Sequence, residues 1–151
     1  MERSVRRAVL GLCAAGALAA AAPAAAHAGT WTAAKPAAGR APAIKASHAR
    51  TFRLDASSMK SKLAAAPRIA LNAKALAASP GTTITLPAPN GTMQRFEVDD
   101  SPVMAPELAA LHPDIHTYAG RGIDDPTATI RADDTPLGFH ASVRSDRGNW
   151  S

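Results

Sequence analysis

The chain has 151 residues, a formal net charge of +5 at pH 7, a single cysteine and only three Phe, two Trp and one Tyr. That length allows one small domain, and a lone cysteine excludes an intramolecular disulfide framework. The charge is uneven: residues 29–80 carry nine Lys/Arg against the single acid Asp55, and residues 81–151 carry five Arg against ten acids. The basic charges are scattered singly among Ala and Pro, without the aromatic interleaving of a nucleic-acid surface, so no nucleic-acid partner is expected. Attraction between the two halves, or docking of the basic part on an acidic partner, fits the asymmetry better.

Residues 1–28 have the layout of a secretory signal peptide. Arg3, Arg6 and Arg7 form a positive start, and Ala8 to Ala22 is uncharged. This apolar run is shorter than the ~20 residues that span a bilayer. Pro23 then breaks it ahead of Ala26-His27-Ala28, an A-x-A site that places cleavage between Ala28 and Gly29. Contact with a membrane is then transient and the product is secreted. Leu12 is too large for the position before a lipid-modified Cys13, and the Arg6-Arg7 pair lacks most of the surroundings of a twin-arginine signal. Cleavage leaves 123 residues (151 − 28) and removes Cys13, and with it any thiolate nucleophile or ligand.

Residues 29–49 are Ala, Pro, Lys, Gly and Thr with few large apolar side chains, and read as a flexible linker. The ordered domain is expected over residues 50–151. Thr51 to Leu54 alternates as a strand, with Phe52 and Leu54 on one face. Asp55 or Ser57 caps a short helix whose stripe is Met59, Leu63 and Ala66, and Pro67 ends it. Ile69 to Ala78 is Ala-rich and either helical or loose.

Thr82 to Leu86 and Met93 to Val98 alternate as two strands around Pro87-Ala88-Pro89-Asn90-Gly91, where Asn-Gly supplies the positive φ of a tight reversal. Pro106 and Glu107 open a helix closed by Pro113, with Met104, Leu108 and Leu111 facing the sheet. Ile115 to Tyr118 is a strand, Gly120-Arg121-Gly122 a turn and Asp124-Asp125-Pro126 another. The strand Ala128 to Arg131, a turn at Asp133 to Pro136 and the strand Leu137 to Arg144 follow. Ser145 to Gly148 turns again into a return strand at Asn149-Trp150-Ser151. The expected fold is α+β, a mostly antiparallel sheet of hairpins with one packed helix. So short a closing strand exposes its neighbour's edge, which predicts that the domain is truncated here and continues into a longer protein.

Residue patterns for chemistry are sparse. His112 and His116 are four apart, but Pro113 interrupts a shared helical face and no HExxH is present. Asp99-Asp100, Asp124-Asp125 and Asp133-Asp134 sit beside Ser, Pro or Thr and read as turn formers, not as an EF-hand. No G-x-S-x-G elbow occurs, and Gly120-Arg121-Gly122 is too short for a phosphate loop. Asn90-Gly91-Thr92 and Asn149-Trp150-Ser151 are formal glycosylation sequons. No catalytic, metal or cofactor-binding residue is assigned to this chain.

One stretch carries a family likeness: Arg95-Phe96-Glu97-Val98, Ser101-Pro102-Val103-Met104-Ala105-Pro106-Glu107-Leu108, His112-Pro113-Asp114-Ile115, Thr117 to Pro126, Ala128 to Arg131 and Gly138-Phe139-His140-Ala141. It resembles the amino-terminal prodomain region of secreted bacterial reprolysin-like (metzincin) zinc metallopeptidases. The resemblance covers about residues 50–151 and contains no catalytic motif. It implies a propeptide that assists folding of a peptidase catalytic domain, in cis or in trans, and masks its cleft. Zinc is then expected only in that catalytic domain. The cysteine that some metzincin prodomains offer to zinc has no counterpart here, which favours steric masking, with Tyr118, Arg121, Asp124, Asp125 and His140 as candidate cleft contacts. The alternative is a stand-alone secreted binding or adhesion domain that presents Tyr118 to Gly122 as an exposed loop.

Overall fold

The computed structural model describes residues 29–35, 50–70 and 72–151. The expected signal peptide, its Ala28–Gly29 cleavage point on the leader side, and residues 36–49 of the expected linker lie outside the described residues. Two short strands, β1 (Trp31–Ala33) and β2 (Phe52–Leu54), pair antiparallel. They lead into α1 (Ala56–Leu63) and α2 (Ala73–Ala78). A six-stranded antiparallel meander follows: β3 (Thr82–Pro87), β4 (Met93–Asp100), β5 (His116–Gly122), β6 (Thr129–Thr135), β7 (Gly138–Ser145) and β8 (Gly148–Trp150), with α3 (Pro106–Leu111) between β4 and β5. Neighbours in the sheet are neighbours in sequence throughout. The class is α+β and mostly antiparallel.

Strand alternation builds the core. Ile84 and Leu86 of β3, Phe96 and Val98 of β4, Ile130 and Ala132 of β6 and Val143 of β7 form one buried cluster with Met59 and Leu63. The last two are four residues apart on α1 and so share a face, which packs against β3. Full burial of side chains of this size stabilises by roughly 1.5–3 kcal/mol each. The helix starts where it does because the Asp55 carboxylate accepts from the Ser58 amide (3.1 Å) and hydroxyl (2.8 Å). A bond from the Ser57 hydroxyl, followed by those from Ser58, holds its pKa down at about 2.

Several sequence expectations are corrected. Residues 29–35 belong to the fold: Thr30 is buried, Asp55 donates its amide to the Thr30 carbonyl (2.8 Å), and the Trp31 indole donates to the Thr85 carbonyl (2.7 Å). Composition hid this because the pairing partner of β1 lies across the whole 36–49 segment. The packed helix is α1. α3 contains no buried residue, and Leu108 and Leu111 are exposed. The inner face of the sheet is already filled by Met59 and Leu63, and α3 instead rides on the β4–β5 connection. Ser101 and Thr117 clamp the base of that connection through two 2.8 Å bonds.

Gly120 and Gly122 are not a turn but lie within β5, Gly122 as its last residue, opposite Val98 and Phe96. A Cβ at Gly120 would collide with the Glu97 carbonyl, and one at Gly122 with the Asp125 carbonyl. These glycines mark close backbone approach, the other reason a strand contains them. Asp133 and Asp134 likewise lie within β6, and the reversal falls at Pro136-Leu137, where the fixed φ of proline suits the second position of a type I turn. Asp99 is a buried strand residue that accepts from the Ser79 hydroxyl. The β3–β4 hairpin forms as expected, but only Gly91 takes positive φ (86°). The bonds Gly91 N to Ala88 O and Ala88 N to Thr92 O make the reversal a glycine bulge closing a type I turn.

Among the described residues, no ion pair joins the two halves. The ion pairs among the described residues join Arg95 to Asp124, Arg121 to Glu97, His140 to Asp133 and Arg147 to Asp125, all within the acidic half. Hydrogen bonds join the halves instead, including Asp100 N to Pro67 O and Ile69 N to Asp100 O, both 2.9 Å.

Candidate functional site

The curved sheet brings its first and last strands toward one another. Between the end of β3 and the edge of β7 lies a groove of about 500 Å³. Four of the six aromatic side chains of the chain line it: Trp31, Phe52, Phe139 and Trp150. All four are half-buried, and Trp150 also meets the fully buried Phe96. Half-buried aromatics concentrated at one place are a common composition for contact surfaces, since a rigid ring gives much area at low entropic cost.

The wall formed by β7 has a second property. β8 covers only part of this strand, pairing Val143 with Trp150, Arg144 with Asn149 and Ser145 with Gly148. Among the described residues, 138–142 pair with β6 alone. Both bounding reversals are two-residue turns whose closing pairs, Thr135 with Gly138 and Ser145 with Gly148, are the hydrogen-bonded kind. Alternation from those pairs directs the N–H and C=O of Gly138, His140 and Ser142 to β6. The same groups of Phe139 and Ala141 point outward into the groove.

Electrostatically the groove is one-sided. Among the described residues, Arg50 and His140 are the ionisable side chains that line it, and no Asp or Glu side chain does. Arg50 lies against Gly91 of the β3–β4 turn, where a Cβ would meet its guanidinium, and it has no ion-pair partner among the described residues. The His140 Nδ1 lies 2.9 Å from Asp133 Oδ1 across the β6–β7 pair.

The five residues expected to contact a partner are not brought together. Tyr118 is buried within β5, and burial, followed by the charges of Asp100 and Asp134, pushes its phenol up to about 12. Arg121 is structural: its guanidinium pairs with Glu97 and donates to the carbonyls of Leu76 and Ser79, tying α2 to the sheet. Asp124 accepts from the Arg95 amide (2.7 Å) and guanidinium (2.6 Å), and those bonds lower its pKa. Asp125 is buried and lowered in pKa, first by the Thr127 hydroxyl at 2.7 Å. Only His140 reaches the groove. The exposed Tyr118–Gly122 loop of the alternative reading does not exist as a loop, because those residues are a central strand.

The sequence alone did not reveal that Trp31 and Arg50 join Phe139 and Ala141 in lining one groove. The only local signal was the alternation of Thr30-Trp31-Thr32 within an otherwise Ala/Pro-rich segment. Among the described residues no three or more His, Cys, Asp or Glu side chains gather as a metal ion would need. No protein-family model matches this chain, and no curated protein or solved structure matches it either.

Proposed function

We propose that this chain is the non-catalytic propeptide-like region of a secreted zinc metallopeptidase precursor, exported by its leader, which assists folding of the catalytic domain and masks its cleft. The family likeness of the words from Arg95 to Ala141 gives the class of partner. The observation that carries a binding role is the groove lined by four half-buried aromatics, because a cluster of partly buried rings is a common composition for surfaces that polypeptide segments dock on. Masking by this route is steric and needs no ligand to zinc from this chain.

The stand-alone adhesion reading loses its contact loop, since Tyr118, Ala119 and Gly120 are buried. The test is inhibition: the full chain, added at micromolar concentration to a reprolysin-like peptidase from the same source, should slow cleavage of a peptide substrate. Unchanged activity, together with unchanged refolding yield of the denatured peptidase, overturns the proposal. Sequencing of the exported product should find Gly29 at its amino terminus.

A further inference from the structure

We infer that the β1–β2 hairpin is an electrostatic docking face, on which Lys35, Arg50 and Arg53 receive a carboxylate-rich stretch of a partner polypeptide. The inference rests on the proposed function only for the owner of that stretch, the peptidase domain. The recognition itself follows from the placement and the charge of the three side chains.

The hairpin is fixed to the body of the protein. The Trp31 indole donates to the Thr85 carbonyl (2.7 Å), the Asp55 amide donates to the Thr30 carbonyl (2.8 Å), and Trp31 and Leu54 pack against the core. Ala34 donates its amide to the Thr51 carbonyl (2.9 Å), which carries the register past both strands and sets Lys35 opposite Arg50. Like charges directly opposite in a ladder repel. Arg53, opposite Thr32, lies on the other face of the pair. All three residues are exposed, and they form no ion pair among the described residues.

Composition sets the sign of this face. Residues 29–54 carry Lys35, Arg40, Lys45, Arg50 and Arg53 and neither Asp nor Glu, so the connection 36–49 only adds positive charge; residues 1–28 set Glu2 against Arg3, Arg6 and Arg7. In the acidic half, Arg95, Arg121 and Arg147 take up Asp124, Glu97 and Asp125. A carboxylate placed beside the Lys35–Arg50 pair relieves its repulsion, and the planar arginine fork binds a carboxylate at two points. A membrane surface is disfavoured because Trp31 and Leu54 are packed against the core and leave no apolar face to insert. Nucleic acid is disfavoured because three fixed cations neutralise few phosphates.

The experiment uses the full chain and three probes: a synthetic peptide alternating glutamate and serine, phosphatidylserine vesicles and a short DNA duplex. A peptide of about eight residues is long enough, when extended, to reach from Arg50 to Arg53. It should bind, with an affinity that falls as salt is raised. Arg50→Gln combined with Arg53→Gln should weaken binding by at least about fivefold. Arg131→Gln combined with Arg144→Gln removes the same charge from exposed positions of β6 and β7. This second pair should leave binding within about twofold of the parent's. In the parent protein the Nε–H resonances of Arg50 and Arg53 should move on peptide addition, a readout that requires no variant.

Equal weakening by the two double variants, unmoved Arg50 and Arg53 resonances, or tighter binding to the vesicles or the duplex overturns the inference. The peptidase assay is separate. Peptide binding that the hairpin variant loses, without inhibition of the peptidase by the parent chain, keeps the docking face and removes its proposed owner. Inhibition that the hairpin variant retains in full keeps the masking role and removes the docking face.

Discussion

Trp150 meets Phe96 edge to face, with ring centroids 6.2 Å apart and planes at 66°. One ring belongs to β8 and the other to β4, so the contact joins strands that are not neighbours in the sheet order and fixes how far the sheet curls. Trp150→Ala removes that contact and one of the four aromatic side chains that line the groove. Destabilisation by about 2 kcal/mol is expected, below the value for a fully buried Trp because the indole is half-exposed. Chemical denaturation followed by far-ultraviolet circular dichroism measures it, and a midpoint equal to the parent's would show that the curl does not depend on this pair.

Gly120→Ala tests the reassignment of the Gly120-Arg121-Gly122 segment from turn to strand. The added Cβ would meet the Glu97 carbonyl, Val98 and Ile130. Backbone cannot yield as a flexible side chain does, so a loss of about 3 kcal/mol or failure to accumulate folded protein is expected. Gly138→Ala is the comparison. Nothing lies within reach of its added methyl, and its cost comes only from the positive φ of 122° at that turn. Equal stability of Gly120→Ala and the parent protein would contradict the β4–β5 register.

The carboxyl of Asp55 gives a pH dependence at the acid end. Its folded value of about 2 lies below the open-chain value of ~3.9. A depressed carboxylate contributes stability above the open-chain value and loses it as pH falls through the folded one. The start of α1 should therefore loosen between about pH 4 and pH 2. The Ser58 amide resonance, which reports the cap directly, should move in that window. Asp55→Asn keeps a capping oxygen but cannot titrate, and should abolish the movement.

Legibility followed the range of the interactions. The β3–β4 hairpin and the start of α1 could be read because alternation at Ile84, Leu86, Phe96 and Val98, the Asn90-Gly91 turn and the Asp55 cap act within a few residues. The ladder from β6 to β8 was readable in outline for the same reason, with its reversal displaced from Asp133-Asp134 to Pro136-Leu137. β1 was hidden because its partner Phe52–Leu54 lies beyond residues 36–49. β5 was hidden because glycine serves both reversals and close approaches, and only the position of the Glu97 carbonyl separates the two. The groove was the least legible feature. It exists because sheet curvature brings Leu86 and Trp150 to one place, and neither residue carries a local sign of the other. The contact residues chosen from charge and turn character, Arg121, Asp124 and Asp125, proved to be occupied in holding the fold.

Tyr118 supplies the alkaline counterpart, and as the only tyrosine it can be followed without ambiguity by phenolate absorbance. Burial, reinforced by Asp100 and Asp134, raises its folded value to about 12 from the ordinary value near 10. Above about pH 10 the unfolded chain releases the phenolic proton while the folded chain retains it. The native state then binds more protons, so stability is complete below about 10 and falls as pH rises toward about 12. The native absorbance titration should be displaced toward about 12, and that of the denatured chain should centre near 10. Tyr118→Phe removes the ionisation and should flatten the decline in stability across this window. A native titration centred at the denatured value would mean that Tyr118 is solvated. That would return this residue to the surface, where the sequence alone had placed it.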